Sequence, residues 1–136
     1  MRMSKRLLAL HAAFIAAGAL AQRHLPGSEM HCPADTARTS VTVLHHDSLS
    51  SSFIICIPRS VAPHLHRHHT EHVVVLEGAG TMLLGDARFT IAAGDALVIP
   101  AGTVHAVTRT SEQPLRVISI QSPRFDGSDR VPVPME

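Results

Sequence analysis

His64-Leu65-His66-Arg67-His68-His69-Thr70-Glu71 places four imidazoles and a carboxylate within eight consecutive residues, close enough for several of them to reach one point. Neutral imidazole and carboxylate suit divalent first-row metals, and metal sites usually draw ligands from more than one segment of chain. A further ligand is therefore expected elsewhere. His105 is the candidate, because it is the only histidine after His72 and closes the run Gly94-Asp95-Ala96-Leu97-Val98-Ile99-Pro100-Ala101-Gly102-Thr103-Val104-His105. That run reads as turn, strand, tight turn, strand.

Alternation sets which side chains can meet. Residues two apart in a strand share a face, so Glu71, Val73 and Val75 point together, and His72, Val74 and Leu76 point the other way. With Glu71 inward, His72 drops out as a ligand. By the same rule His105, Val107 and Arg109 share a face. From Thr39 onward, short runs of Val, Ile, Thr and Leu recur between Gly, Pro, Asp and Ser punctuation, predicting strands over 41–44, 53–57, 71–76, 81–84, 88–91, 96–99, 105–108 and 115–120. Eight short strands point to a sandwich or closed barrel rather than an α/β sheet. Leu84-Gly85-Asp86-Ala87 and Ala93-Gly94-Asp95-Ala96 read as tight turns.

The two segments resemble the two signature motifs of the cupins. The first family motif runs His-x-His, four residues, Glu, six residues, Gly, and is matched by His64, His66, Glu71 and Gly78. The second runs Gly, five residues, Pro-x-Gly, two residues, His, and is matched by Gly94, Pro100, Gly102 and His105; the Asn that follows in the family is replaced by Arg109. The resemblance covers roughly residues 41 to 125, and agreement at this many spaced positions is a specific signal. It implies an all-β fold, the double-stranded β-helix or jelly-roll barrel. It also implies a metal held by His64, His66, Glu71 and His105, with Mn, Fe, Zn, Ni and Cu all compatible with the donors. Such a ligand set leaves coordination positions open for water or substrate. The expected function is metal-dependent chemistry on a small organic molecule, either dioxygenase-type oxidation or isomerase or lyase chemistry, with Glu71 as the catalytic group if it leaves the metal during turnover. A non-catalytic module holding a metal or small ligand is the alternative, since a fold alone does not choose between them. By analogy with single-domain cupins, a homodimer would bury exposed strand edges.

Residues 1–21 read as a secretory signal peptide: Met1 to Arg6 is basic, and the apolar run that follows ends in Ala19-Leu20-Ala21. The run falls short of the roughly 20 residues of a membrane span. Of the twelve Lys and Arg, three lie in this leader and none of the eleven acidic residues does, so nine basic side chains face eleven acidic ones after cleavage. A net charge near minus two offers no basic footprint for nucleic acid. The mature protein is expected to be exported, periplasmic or secreted, with no membrane attachment and a small molecule as its partner. Residues 22–38 form an irregular lead-in, 39–125 the barrel, and 126–136 a Pro-containing tail that covers one edge.

Cys32 in the lead-in and Cys56 in an apolar run are the only cysteines. Two readings stand side by side: a bridge, as exported proteins often form, or a buried thiol and an exposed one. His68 and His69 belong to a loop at the barrel mouth, solvated or backing the site, and His45 and His46 are read as exposed turn residues. Arg109 has two readings, an inward guanidinium that pairs with a substrate carboxylate or phosphate, or a rim residue reaching solvent; the second is preferred. Beyond the leader the chain has no Lys, Tyr or Trp, which excludes a tyrosine acid and a lysine Schiff base.

Overall fold

The computed structural model describes residues 24–33 and 37–134; the expected signal peptide lies outside them. Ten strands follow a single 3-10 turn at Gly27–Glu29: β1 (Ser40–His46), β2 (Ser51–Ile57), β3 (Ser60–Leu65), β4 (Thr70–Glu77), β5 (Ala79–Leu84), β6 (Ala87–Ala92), β7 (Ala96–Ile99), β8 (His105–Arg109), β9 (Leu115–Ser122) and β10 (Val131–Pro132). They form two five-stranded sheets, ordered β1-β2-β9-β4-β7 and β10-β3-β8-β5-β6, with every pairing antiparallel. This is the all-β jelly roll that the motif spacing implied.

The period-two pattern decides what lies between the sheets. On β4, Glu71, Val73 and Val75 are buried while His72 and Val74 are exposed, as the alternation requires. β9 buries Leu115, Val117, Ser119 and Gln121 in the same way. Ile57, Val73, Val75, Met82, Ile91, Ile99, Val107, Leu115 and Val117 make one contiguous core drawn from both sheets.

Two strands escape a reading by alternation. β3 carries Pro63 and a bulge, so that Val61 faces Val107 and His64 faces His105, with three steps on β3 answering two on β8. The extra residue turns both Val61 and His64 inward, which strict alternation forbids. β10 is a two-residue edge strand on β3, pairing Val131 with Leu65 and Pro132 with His64. Its proline is tolerated because it lies at the sheet edge.

The lead-in is pinned to the barrel. Cys32 and Cys56 are joined by a disulfide, so the bridged reading of the two cysteines is the correct one. The Met30 carbonyl accepts a hydrogen bond from Arg116, whose guanidinium also meets Glu77 at 3.0 Å. Cys56 and Ile54 lie on the outward face of β2 and are nonetheless 2% and 4% exposed. Leu25 and Met30 border the same small cleft as Ile54, so the lead-in screens this face. His45 and His46 correct one expectation: they are exposed, but in β1 rather than in a turn.

Gly78 sits between β4 and β5 with φ +79°, and a Cβ there would come within 2.8 Å of the Pro114 carbonyl. The motif glycine is thus required both for its backbone angle and for the close approach of the 110–114 loop.

Candidate metal centre

Four elements deliver the centre. His64 comes from the end of β3, His66 from the first residue beyond it, Glu71 from β4 and His105 from the start of β8. All four are buried, at 6%, 3%, 6% and 5% exposure. The bulge in β3 sets His64 directly across from His105, and their rings stand 4.1 Å apart. Gly102, at φ +79°, turns the chain so that its N–H donates to the His66 carbonyl at 2.6 Å. That bond ties the turn before His105 to the loop that carries His66.

The tautomers follow from the partners. His64 Nδ1 meets the Ala62 carbonyl at 2.9 Å, His66 Nδ1 the Asp129 carbonyl at 2.6 Å, and His105 Nδ1 the Thr103 carbonyl at 3.0 Å. A carbonyl can only accept, so each Nδ1 carries the hydrogen and each neutral ring keeps its Nε2 lone pair. Ligand atoms of the three rings lie within 4.8 Å of one another. Glu71 Oε2 stands 3.5 Å from His66 Nε2 and 3.3 Å from His105 Nε2. His105 Nε2 is buried with no hydrogen-bond partner. The rings of His66 and His105 thus flank the Glu71 oxygen, and His64 joins them in a group of three imidazoles, an arrangement that suits a cation held by the three histidines with Glu71 beside them. A divalent metal is such a cation, and the Nδ1 bonds to main-chain carbonyls are the outer contacts that orient metal-bound imidazoles.

The electrostatics agree with this geometry. Burial works to raise the Glu71 carboxyl, but the imidazoles of His105 and His66 and the hydroxyl of Ser119 outweigh it and hold the group well below the usual carboxylate range. Ser119, fully buried on β9, donates its Oγ hydrogen to Glu71 Oε1 at 2.5 Å. Burial first, then the charge of His105, lowers His64 to about 4, with Arg130 and His66 adding smaller effects and the Ala62 carbonyl opposing. Burial also works to lower His66, yet Glu71 and the Asp129 carbonyl leave it raised above its ordinary value.

The remaining histidines separate cleanly. His68 and His72 are exposed. His69 is buried and backs the site, its Nδ1 meeting Asp129 Oδ2 at 2.5 Å and its Nε2 the Arg124 carbonyl at 3.0 Å. Asp129 also accepts from the main-chain N–H groups of Arg67 and His68. Burial works to raise its carboxyl, and the His69 bond with these two N–H donors more than reverses that. The tail is thereby clasped onto the ligand loop, with the Phe125 ring 5.1 Å from His66 and 5.2 Å from His69.

Arg109 departs from both readings of it. Its guanidinium neither reaches the centre nor extends into solvent; it folds back onto the carbonyls of Ser111 and Glu112 at 2.6 and 2.5 Å. An arginine at the end of β8 meets unsatisfied loop carbonyls before it meets water, so here it braces the 110–114 turn.

The centre opens onto a cavity of about 430 Å³. Its wall is mostly aliphatic, with Val73, Met82, Ile99 and Val117 among the lining residues and Phe125 at the tail side.

Comparison with known proteins fixes the family. A cupin domain model matches residues 53–121, half of the chain. This protein is a cupin. The cupin's matched stretch is 31% identical over 67 residues to mannose-1-phosphate guanylyltransferase RfbM of Salmonella typhimurium, covering 49% of this chain and only 14% of that enzyme. Among solved structures, it is similar to an uncharacterized conserved protein with a double-stranded beta-helix domain from Klebsiella pneumoniae, at TM-score 0.71 and 19% identity over 85% of this chain and 100% of that one. It is also similar to KdgF from Halomonas sp., at TM-score 0.61 and 25% identity over 68% and 86% of the two chains.

Sequence reasoning missed Ser119 and Gln121 as members of the site. The signal was present: on β9 the inward face runs Leu115, Val117, Ser119, Gln121, and an apolar face that turns polar over two positions needs a reason.

Proposed function

We propose that this cupin is a metal-dependent enzyme acting on a small, largely apolar organic molecule, by oxidation with O₂ or by isomerase or lyase chemistry. His64, His66, His105 and Glu71 hold the ion, with Mn, Fe, Zn, Ni and Cu all compatible with the donors. One observation carries the reading: ligand atoms of the three imidazoles lie within 4.8 Å of one another, with Glu71 Oε2 beside His66 and His105, at the wall of a cavity with room for a small organic ligand. A metal serving only to brace the fold would be enclosed by its own ligands.

When bound, the ion supplies Lewis acidity toward a substrate oxygen or a meeting point for O₂. The chain supplies the rest. Among the described residues Glu71 is the only carboxylate in the cavity wall and is held ionised, so its Oε2 can accept a proton when Glu71 leaves the ion during turnover. Ser119 fixes the other oxygen and with it the direction in which Oε2 faces. The aliphatic wall selects an apolar body and lowers the local polarity around the reacting group.

The same reading includes export. A disulfide suits an oxidising compartment, which agrees with a leader over 1–21 and a periplasmic or secreted protein of residues 22–136. Its partner is a small molecule rather than nucleic acid or membrane, and exposed strand edges leave room for a homodimer.

Elemental analysis of protein purified from the exported compartment, followed by oxygen uptake and product analysis on the metal-loaded form, tests this. His64→Ala and Glu71→Ala are expected to lower metal content and turnover together. Metal stoichiometry unchanged in both variants would remove these residues from the centre. A metal-loaded protein that binds small molecules and never turns one over would make it a binding module.

A further inference from the structure

Two polar side chains in the cavity wall have no part in holding the ion. Gln121 is 5% exposed, and its Oε1 is buried without a hydrogen-bond partner. It pairs across the sheet with Glu71 on one side and Ser51 on the other, so it stands in the same inward layer as the centre. Arg130 is exposed and lines the cavity from the tail, two residues before β10 ends. It takes part in no ion pair among the described residues.

The charge balance of the wall then points to the ligand. Among the described residues, Glu71 and Arg130 are the only ionisable side chains besides histidines that line the cavity. With a divalent ion on three neutral imidazoles and Glu71, one positive charge is left over at the centre, and Arg130 adds another. An apolar cavity with surplus positive charge is stabilised by an anion and penalises a neutral or cationic guest. The planar fork of an arginine matches a carboxylate with two parallel hydrogen bonds. A phosphate would call for several converging donors, such as a helix N-terminus or a nest of main-chain N–H groups, and the wall is instead mostly aliphatic side chains. Gln121 adds an uncharged amide to the wall, directly across the strand pair from Glu71, where it can hydrogen-bond a polar group of the ligand.

We propose that the cavity receives a small, largely apolar carboxylate, that Arg130 at its mouth pairs with the carboxylate, and that the Gln121 amide hydrogen-bonds a hydroxyl on the same molecule. Arg130 and Gln121 are thus specificity residues rather than metal ligands. This rests on the reading of the cavity as the ligand site beside a bound ion.

Calorimetric titration of benzoate and benzamide, which share a shape and differ in charge, tests it. Each is titrated into manganese-loaded and metal-free wild type and into Arg130→Gln. Benzoate is expected to bind the manganese-loaded wild type at least about tenfold more tightly than benzamide. Arg130→Gln is expected to cut that preference at least about threefold while its manganese content, by elemental analysis, stays at the wild-type value. Of the three hydroxybenzoates, at least one is expected to bind more tightly than benzoate, and Gln121→Leu to remove the gain. Equal binding of benzoate and benzamide, a preference undiminished in Arg130→Gln, or no binding of either at millimolar concentration overturns the proposal. No gain with any hydroxybenzoate, or a gain that survives Gln121→Leu, removes Gln121 from it. A protein that takes no manganese yet keeps an Arg130-dependent preference sinks the metal reading alone; manganese bound with no preference sinks this inference alone.

Discussion

A carboxylate with 6% exposure carries a desolvation cost of several kcal/mol, and Glu71 offsets it with the Ser119 hydroxyl and two imidazoles. Removing one of these has a defined consequence. Ser119→Ala leaves Oε1 without its donor, and about 1–3 kcal/mol of stability is expected to go with it in a denaturant titration. Metal affinity should fall about tenfold, as it does when outer contacts of a metal ligand are lost. His64 makes a second prediction. Its folded value is about 4 against an ordinary 6.5, so between those pH values the unfolded chain binds a proton that the folded chain refuses. Stability of the metal-free protein is therefore expected to fall as pH drops from 6.5 toward 4. Glu71, depressed below its ordinary 4.5, extends the loss to lower pH. His66 is raised and opposes the trend, though without a shift as large as that of His64. The Tm of metal-free protein across this window checks the sign, and His64→Leu should flatten the curve. His64, His66, Glu71 and His105 were nominated by the cupin resemblance that the motif spacing carries. Ser119 was not, because hydroxyls break apolar faces for many reasons and only the cross-strand neighbours say which one applies.

Among the elements, β3 and the tail do most to place the ligands. The bulge between Val61 and His64 makes both face inward, and Pro63 at that point is what disguised the strand. The tail reaches the centre through Asp129, which offers its carbonyl to His66 and its carboxylate to His69, Arg67 and His68. Asp129→Ala is expected to loosen the ligand loop and weaken metal binding about tenfold, measured by competition with a chelating dye, while the barrel stays folded. Binding left at the wild-type level would make the clasp irrelevant to the centre. Gly78→Ala belongs with these: at φ +79°, with a carbonyl 2.8 Å from the new Cβ, a loss of about 2 kcal/mol or more is expected on thermal unfolding. The Gly at this point of the motif could be read from sequence. Its neighbour, the Pro114 loop braced by Arg109, could not.

For the molecule as a unit, the disulfide and the two sheets carry different loads. Cys32 and Cys56, 24 residues apart in sequence, close a loop whose cross-link stabilises the fold by about 3 kcal/mol in the chain-entropy account. Cys56 lies on the outward side of β2, away from the cavity-lining Ile55 and Ile57. Reduction with dithiothreitol is therefore expected to lower the Tm by roughly 10 °C and leave the metal content unchanged. Loss of metal on reduction would mean that the lead-in supports the centre after all.

Periodicity was enough for the β character and the inward face of β4, and the motif resemblance for the jelly roll, because each depends on the order of residues along the chain; the same resemblance nominated His64, His66, Glu71 and His105, of which the fold groups the three imidazoles within 4.8 Å. Contacts between distant segments settled the remainder: the Cys32–Cys56 bridge, the seating of His69 against Asp129, and the cavity in which Gln121 and Arg130 meet the centre. Those outcomes turn on which polar group lies nearest once the sheets have closed, and a partner tens of residues away leaves no local trace in the pattern that precedes it.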